Sequence, residues 1–261
     1  MTELISTLAD LVRINSVNAF YEDGPGEAEL ARYIEGFFAE QGIEAWRQNV
    51  IEPNGSVEAR YNVIAKLPGV DSSKCIVLEA HMDTVSVQGM TIEPFEARID
   101  DGRMYGRGSC DTKAGLAAMM HAIANLKQQE RIPPCDVILA AVVDEEYSFR
   151  GVRKFCEEYK ATAAIVAEPT DLRVAIASKG VLRWRIHANG KSAHSSKVHL
   201  GVNAIYHMAR VVVALEREHA ALARTVHPLL GSASCNVGKI AGGVQVNFVP
   251  DRCVIEIDRR L

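Results

Sequence analysis

Residues 136–146, DVILAAVVDEE, decide the fold, because an unbroken apolar run closes on three consecutive carboxylates. A strand that is apolar at successive positions buries both of its faces, the habit of a parallel or mixed sheet covered by helices on either side. The neighbouring segments agree. YNVIAKL (61–67), CIVLEAHMD (75–83) and AAIVAEP (163–169) read as further strands. Helices stand between them: residues 25–42 carry Leu30, Ile34, Phe37 and Phe38 on one face with Gly42 as the C-cap. Residues 112–129 form an Ala-rich helix with a stripe of Leu116, Met119, Met120, Ile123 and Leu126, and residues 150–159 form a shorter helix. Strands alternating with helices predict an α/β protein with a mixed sheet.

The first 17 residues place Leu4, Ile5, Leu8, Leu11 and Val12 at helical spacing, which predicts an amphipathic helix rather than a signal peptide. No apolar run approaches the ~20 residues of a membrane span. A net charge of −4 and the absence of a Lys/Arg-rich run exclude the electrostatic footprint of a nucleic-acid or anionic-membrane binder. The six cysteines form no C-x-x-C pair, and most lie in apolar stretches, so they read as small reduced hydrophobes of a cytoplasmic protein.

In such sheets ligands bind beyond the carboxyl ends of the strands. One strand closes on His81 and Asp83, another on Asp144, Glu145 and Glu146, and a third on Glu168; the loop YGRGSCDTKAG (105–115) delivers Asp111 just ahead of a helix. Taken singly these are ordinary features, since a Glu doublet is usually solvated and an Asp before a helix usually caps it. Together they aim a histidine and several carboxylates at one rim. Crowded carboxylates repel each other and raise each other's pKa unless a cation sits among them. Imidazole with carboxylates and no thiolate suits Zn²⁺ first, then Co²⁺ or Mn²⁺.

Five stretches, EAHMDTV (79–85), YGRGSCDTKAG (105–115), VVDEEYSFRG (142–151), VAEPT (166–170) and NGKSAHSS (189–196), resemble in order the two-zinc aminoacylase and carboxypeptidase family. That family includes acetylornithine deacetylase, succinyl-diaminopimelate desuccinylase and the glutamate carboxypeptidases. The resemblance implies that His81 binds one zinc, that Asp111 bridges two, that Glu168 completes the first site and that Glu146 binds the second ion. It implies that Asp83 orients His81 from behind. Glu145 looks like the general base, taking a proton from the attacking water and returning it to the leaving amine.

From about residue 180 the pattern changes. GVLRWRIHANG (180–190) alternates like a half-solvated strand, residues 201–218 read as a helix, and residues 234–260 read as a hairpin turning at Gly242 and Gly243. The division expected is therefore a catalytic domain over residues 1–178 and a lid or dimerisation domain over 179–261. By resemblance, His194 crosses from a partner chain of a homodimer to stabilise an oxyanion, while Asn247 and Arg260 hold the substrate's carboxylate and carbonyl. His199 and His207 match nothing and read as structural. GRGSCD lacks the final glycine of a dinucleotide fingerprint, and NGKS lacks the first glycine of a phosphate loop.

Members of that family continue beyond the lid to a late histidine that ligates the second zinc, whereas this sequence stops at Leu261. Two expectations follow: a piece of a longer protein, or a truncated relative that binds metal poorly. The function expected is metal-dependent hydrolysis of N-acyl amino acids or small dipeptide-like substrates. The alternatives are a non-catalytic dimerisation or regulatory protein, a one-metal hydrolase, and an inactive fragment.

Overall fold

The computed structural model describes residues 2–50 and 60–261. Its contacts divide the chain into two units, Met1–Leu172 and Arg173–Leu261.

The first unit runs α1 (Glu3–Arg13), α2 (Ala28–Glu40), β1 (Glu44–Val50), β2 (Arg60–Leu67), β3 (Asp71–His81), β4 (Arg98–Asp100), β5 (Arg103–Tyr105), α3 (Lys113–Gln128), β6 (Cys135–Val142), α4 (Arg150–Glu158) and β7 (Ala163–Val166). Five of these strands make one sheet in the order β1-β2-β6-β3-β7, while β4 and β5 form a separate ribbon. β3 lies parallel to both β6 and β7, and β2 runs antiparallel to β6 and β1, so the sheet is mixed. β6 occupies its centre and is buried from Asp136 to Val142. Strand alternation sends Val137, Leu139 and Ala141 into a core with Leu30, Ile34 and Phe38 of α2 and Leu116, Met120 and Ile123 of α3. Ile138, Ala140 and Val142 face the other way, onto Phe155 of α4. Two buried faces are why residues 137–142 of this strand are all apolar.

α2 stops where expected: Gly42 adopts φ +61°, and the N–H of Ile43 reaches back 2.9 Å to the carbonyl of Phe38. In α1, Leu11 and Val12 are buried, but Leu4 and Ile5 are each 37% exposed, because the first turn projects past the core that the second half covers. The strands end earlier than their apolar runs suggest. β6 stops at Val142 rather than at Glu146, since Asp144 takes a left-handed φ of +64° and reverses the chain, its carbonyl accepting the N–H of Phe149 at 2.7 Å.

The second unit contains β8 (Val181–Asn189), a 3₁₀ turn over Ser195–Leu200, α5 (Ala204–Leu222), the short strands β9 (Val226–His227) and β10 (Gly231–Ser232), β11 (Ser234–Gly242) and β12 (Arg252–Arg260). β11, β12 and β8 form an antiparallel sheet with β12 central. Cys253, Ile255 and Ile257 of β12 pack with Ala204 and Met208 of α5, and Cys235 joins them. The hairpin does not turn tightly at Gly242 and Gly243. Residues 243–251 form a longer connection because they pair elsewhere: Phe248 bridges to His194, and the N–H of Val249 donates to Ala193 at 2.8 Å.

Asn203 caps α5, its side-chain oxygen accepting the N–H groups of Ile205 at 2.9 Å and Tyr206 at 3.2 Å. Asn203→Ala is expected to cost about 1 kcal/mol, read as a lower denaturant midpoint with an unchanged m-value.

Candidate metal centre

His81 is the last residue of β3, at the carboxyl end of the sheet, and its side chain is 2% exposed. Its Nδ1 donates to the main-chain carbonyl of Asp83 at 2.9 Å. That bond places the hydrogen on Nδ1 in the neutral ring and leaves the Nε2 lone pair facing outward. Nε2 lies 3.1 Å from Oδ1 of Asp111 and 3.7 Å from Oε1 of Glu168.

Three local devices bring those partners in. Thr112, the N-cap of α3, donates its hydroxyl to the carbonyl of His81 at 3.0 Å, which ties the start of the helix to the end of β3 and sets Asp111 beside the ring. Gly115 lets Ala167 approach α3: a Cβ at Gly115 would stand 2.5 Å from that of Ala167, next in sequence to Glu168. The reversal at Asp144 then presents Glu145 and Glu146.

One group of metal-compatible atoms comprises His81, Asp111 and Glu168, and a second comprises His81, Glu145 and Glu146; within each, the ligand atoms lie within 4.8 Å of one another. Beside Asp111 and Glu146 opens a cavity of ≈ 150 Å³ that Thr84, Arg107 and Cys110 also line.

The electrostatics show what the cluster lacks. Burial opposes protonation of His81, yet its hydrogen bond with Asp111 and the charges of Asp83 and Glu145 outweigh it and push the imidazole up to about 10. Burial raises Glu146 to about 7, against the pull of His81 and with help from Asp111, Glu145 and Asp83. Glu145 and Glu168 are raised for the same first reason, burial. The centre thus gathers more negative charge than its own cations offset. A small divalent ion with oxygen and imidazole preference fits this donor set, and it would take the place of the proton that Nε2 of His81 shares with Asp111.

Asp83 lies behind His81 and meets it chiefly through its main chain. Its carboxylate stands 3.7 Å from Nδ1 of His81, and its carbonyl makes the orienting bond instead. The carboxylate is engaged by the main-chain N–H groups of Glu145 at 3.0 Å and Glu146 at 3.1 Å and by Asn18 at 2.7 Å. Asp83 therefore shapes the turn that carries the two glutamates.

The remaining expected residues lie in the second unit. His194 precedes the 3₁₀ turn with its Nδ1 accepting the N–H of Ser196 at 3.2 Å, so the neutral ring carries its hydrogen on Nε2. The carbonyl of Asn247 accepts the N–H of Ser195 at 2.9 Å, which brings Asn247 and His194 together. Arg260 closes β12 with Nε 2.8 Å from Asp258, so its fork is engaged within its own strand.

Glu79 was not anticipated. It lies two residues before His81 and so on the same strand face, 9% exposed, and is raised to about 7 chiefly by burial. Its signal was a lone acid in an apolar strand. Glu27 and Arg60 were also missed; they form a buried ion pair, with Arg60 14% and Glu27 2% exposed, and Arg60 also stands 3.4 Å from Asp144.

A mixed sheet that collects a histidine and carboxylates from separate strand ends defines a metallohydrolase-type architecture. A protein-family model described as Peptidase family M20/M25/M40 matches residues 77–256. The chain belongs to that family. It is 32% identical over 265 residues to an acetylornithine deacetylase of Myxococcus xanthus, covering 98% of this chain and 66% of the relative. A Peptidase M20 domain-containing protein of Schizosaccharomyces pombe is 29% identical over 257 residues, covering 97% of this chain and 59% of the relative. Among solved structures, an M20 family metallo-carboxypeptidase from Sulfolobus solfataricus superposes with a TM-score of 0.80 at 21% identity, covering 100% of this chain and 71% of that one. The chain thus spans roughly three fifths of one curated relative and two thirds of the other.

Proposed function

We propose that this protein is a zinc-dependent amidohydrolase that cleaves the amide bond of N-acyl amino acids or small dipeptide-like substrates. The observation that supports it most is the convergence of His81, Asp111 and Glu168 from three separate segments within ligand distance of one another. His81, Asp111 and Glu168 would hold one ion, and Asp111 with Glu146 a second, with Co²⁺ or Mn²⁺ as substitutes for Zn²⁺. Bound there, zinc supplies Lewis acidity toward an amide carbonyl and acidifies water.

The chain's own groups do the rest. Glu145 accepts the proton of the attacking water and passes it to the leaving nitrogen, and its raised pKa brings it closer to working pH. His194, with its hydrogen on Nε2, is the oxyanion donor, contributed by a second copy of the chain in a homodimer. Asn247 and Arg260 hold the substrate's polar end once Arg260 exchanges Asp258 for a carboxylate. The cavity beside Asp111 and Glu146 has room for a short acyl group. Six unpaired thiols support a reducing cytoplasm as its compartment.

Zinc must displace the proton that His81 keeps up to about pH 10 and the one that Glu146 keeps up to about pH 7. Affinity for zinc is therefore expected to rise with pH between 6 and 9, with net proton release at pH 7. Calorimetry in two buffers of different ionisation enthalpy reads both, and N-acetyl amino acids assayed with the same zinc-loaded protein read turnover. The ion-free protein follows the opposite sign. Between pH 6.5 and about 10 its folded state holds a His81 proton that the unfolded chain has released, so stability falls as pH rises through that window. Absence of zinc binding, or zinc binding without hydrolysis of any N-acyl amino acid or dipeptide by the full-length protein, would refute the proposal.

A further inference from the structure

Behind the metal-compatible cluster lies a second layer that ties the ligand-bearing segments to other parts of the chain. The N–H groups of Asp144, Glu145 and Glu146 each donate to a carboxylate from another segment, the first to Glu27 at 3.1 Å and the other two to Asp83. The turn that presents Glu145 and Glu146 is thus suspended from Glu27 and Asp83. Arg60 and Arg150 stand within ion-pair distance of Asp144, and Arg60 of Glu27. Asp83, 0% exposed, has a different attachment.

That attachment is Asn18. It is 0% exposed, and its Nδ2 donates both hydrogens, one to Asp83 at 2.7 Å and one to Asp144 at 2.9 Å. Its Oδ1 accepts the N–H of Phe20 at 3.0 Å, so every site on the amide head is directed. The main chain is held equally: the N–H of Asn18 donates to Thr84 at 2.9 Å, and Val17 forms a parallel bridge with Thr84. The segment after α1 therefore runs beside the end of β3 and inserts a neutral two-hydrogen donor between two buried carboxylates. A carboxylate there would repel both, and an apolar side chain would leave both short of a donor.

We propose that Asn18 is a positioning residue of the metal centre: by bridging Asp83 and Asp144 it fixes the carboxylate from which the Glu145–Glu146 turn hangs. Without it, the Asp83 carboxylate keeps only the N–H groups of Glu145 and Glu146, and a shift toward Nδ1 of His81, 3.7 Å away, would let it compete with the carbonyl that now orients the ring. The inference rests on the metal-site reading above.

The test is zinc affinity, measured by competition with a chromophoric chelator, together with the visible spectrum of the cobalt(II) form. Outer-layer partners of metal ligands typically change affinity by about 10- to 100-fold. Asn18→Ala is expected to weaken zinc by about 10-fold or more and to shift the cobalt spectrum. Asn18→Ser, which keeps one donor, is expected to fall between. Gln48→Ala is the control, because Gln48 is 5% exposed on β1 and its amide bonds run to Lys154 and Glu158 of α4 and to Asn62 of β2. It is expected to lower thermal stability while leaving zinc affinity within about twofold. An unchanged affinity in Asn18→Ala, or an equal loss in Gln48→Ala, overturns the proposal. Should Asn18→Ala not fold, Asn18→Ser decides alone, and wild-type affinity and cobalt spectrum in it overturn the proposal. Failure of the unaltered protein to bind zinc would instead overturn the metal-site reading, and this inference with it.

Discussion

Glu145→Gln is expected to lower kcat by about 10²–10⁴-fold, the usual contribution of a positioned general base, while zinc content stays that of the unaltered protein. Glutamine keeps the shape and the main-chain bond to Asp83 but cannot take up a proton. The experiment separates two roles that the geometry leaves side by side, because Glu145 lies with His81 and Glu146 in one metal-compatible group. Retained zinc with lost turnover identifies the base. Zinc lost in parallel with turnover would make Glu145 a ligand and transfer the base to another group. Metal analysis and initial rates on N-acetyl amino acids, taken on one preparation, give the answer.

Arg60→Met is expected to destabilise the first unit by about 3–5 kcal/mol, the range for removing one partner of a buried ion pair. Arg60 faces Glu27 through a forked pair of hydrogen bonds and also approaches Asp144, and both acids are almost fully buried. Deleting the cation leaves Glu27 without its ionic partner in a dry environment and Asp144 with Arg150 as its remaining one. The double variant Arg60→Met with Glu27→Met should recover a substantial part of the loss, because an apolar pair of similar volume replaces the ionic one. Urea unfolding followed by circular dichroism measures both. Equal stability of the single variant and the unaltered protein would show that solvent reaches the pair.

The rim of the sheet was legible in the sequence because a single topological rule locates it. Once 75–83, 136–146 and 163–169 are strands, His81, Glu146 and Glu168 must emerge at their carboxyl ends, and Asp111 follows from its place ahead of a helix. What lies behind the rim was not legible. Asn18, Glu27 and Arg60 come from elements whose local patterns are unremarkable, and their meeting depends on tertiary register such as the bridge of Val17 to Thr84. That Asp83 meets His81 through its carbonyl was not legible for a related reason. The two-residue spacing implied a shared strand face with His81, but the strand ends at His81, and Asp83 turns toward the main chain of residues 145 and 146. The long connection over residues 243–251 escaped a reading based on paired glycines because its partner, residues 193–195, lies some fifty positions away.

Among the described residues β7 pairs with β3 on one side only, and Ile165 and Val166 are 57% and 54% exposed. Its outer rail of main-chain donors and acceptors is a template for any extended peptide, and an unpaired edge of this kind favours edge-to-edge pairing between molecules. Preparations of these 261 residues alone should therefore turn turbid as concentration rises. A lysine or proline introduced at the outer rail should keep them clear.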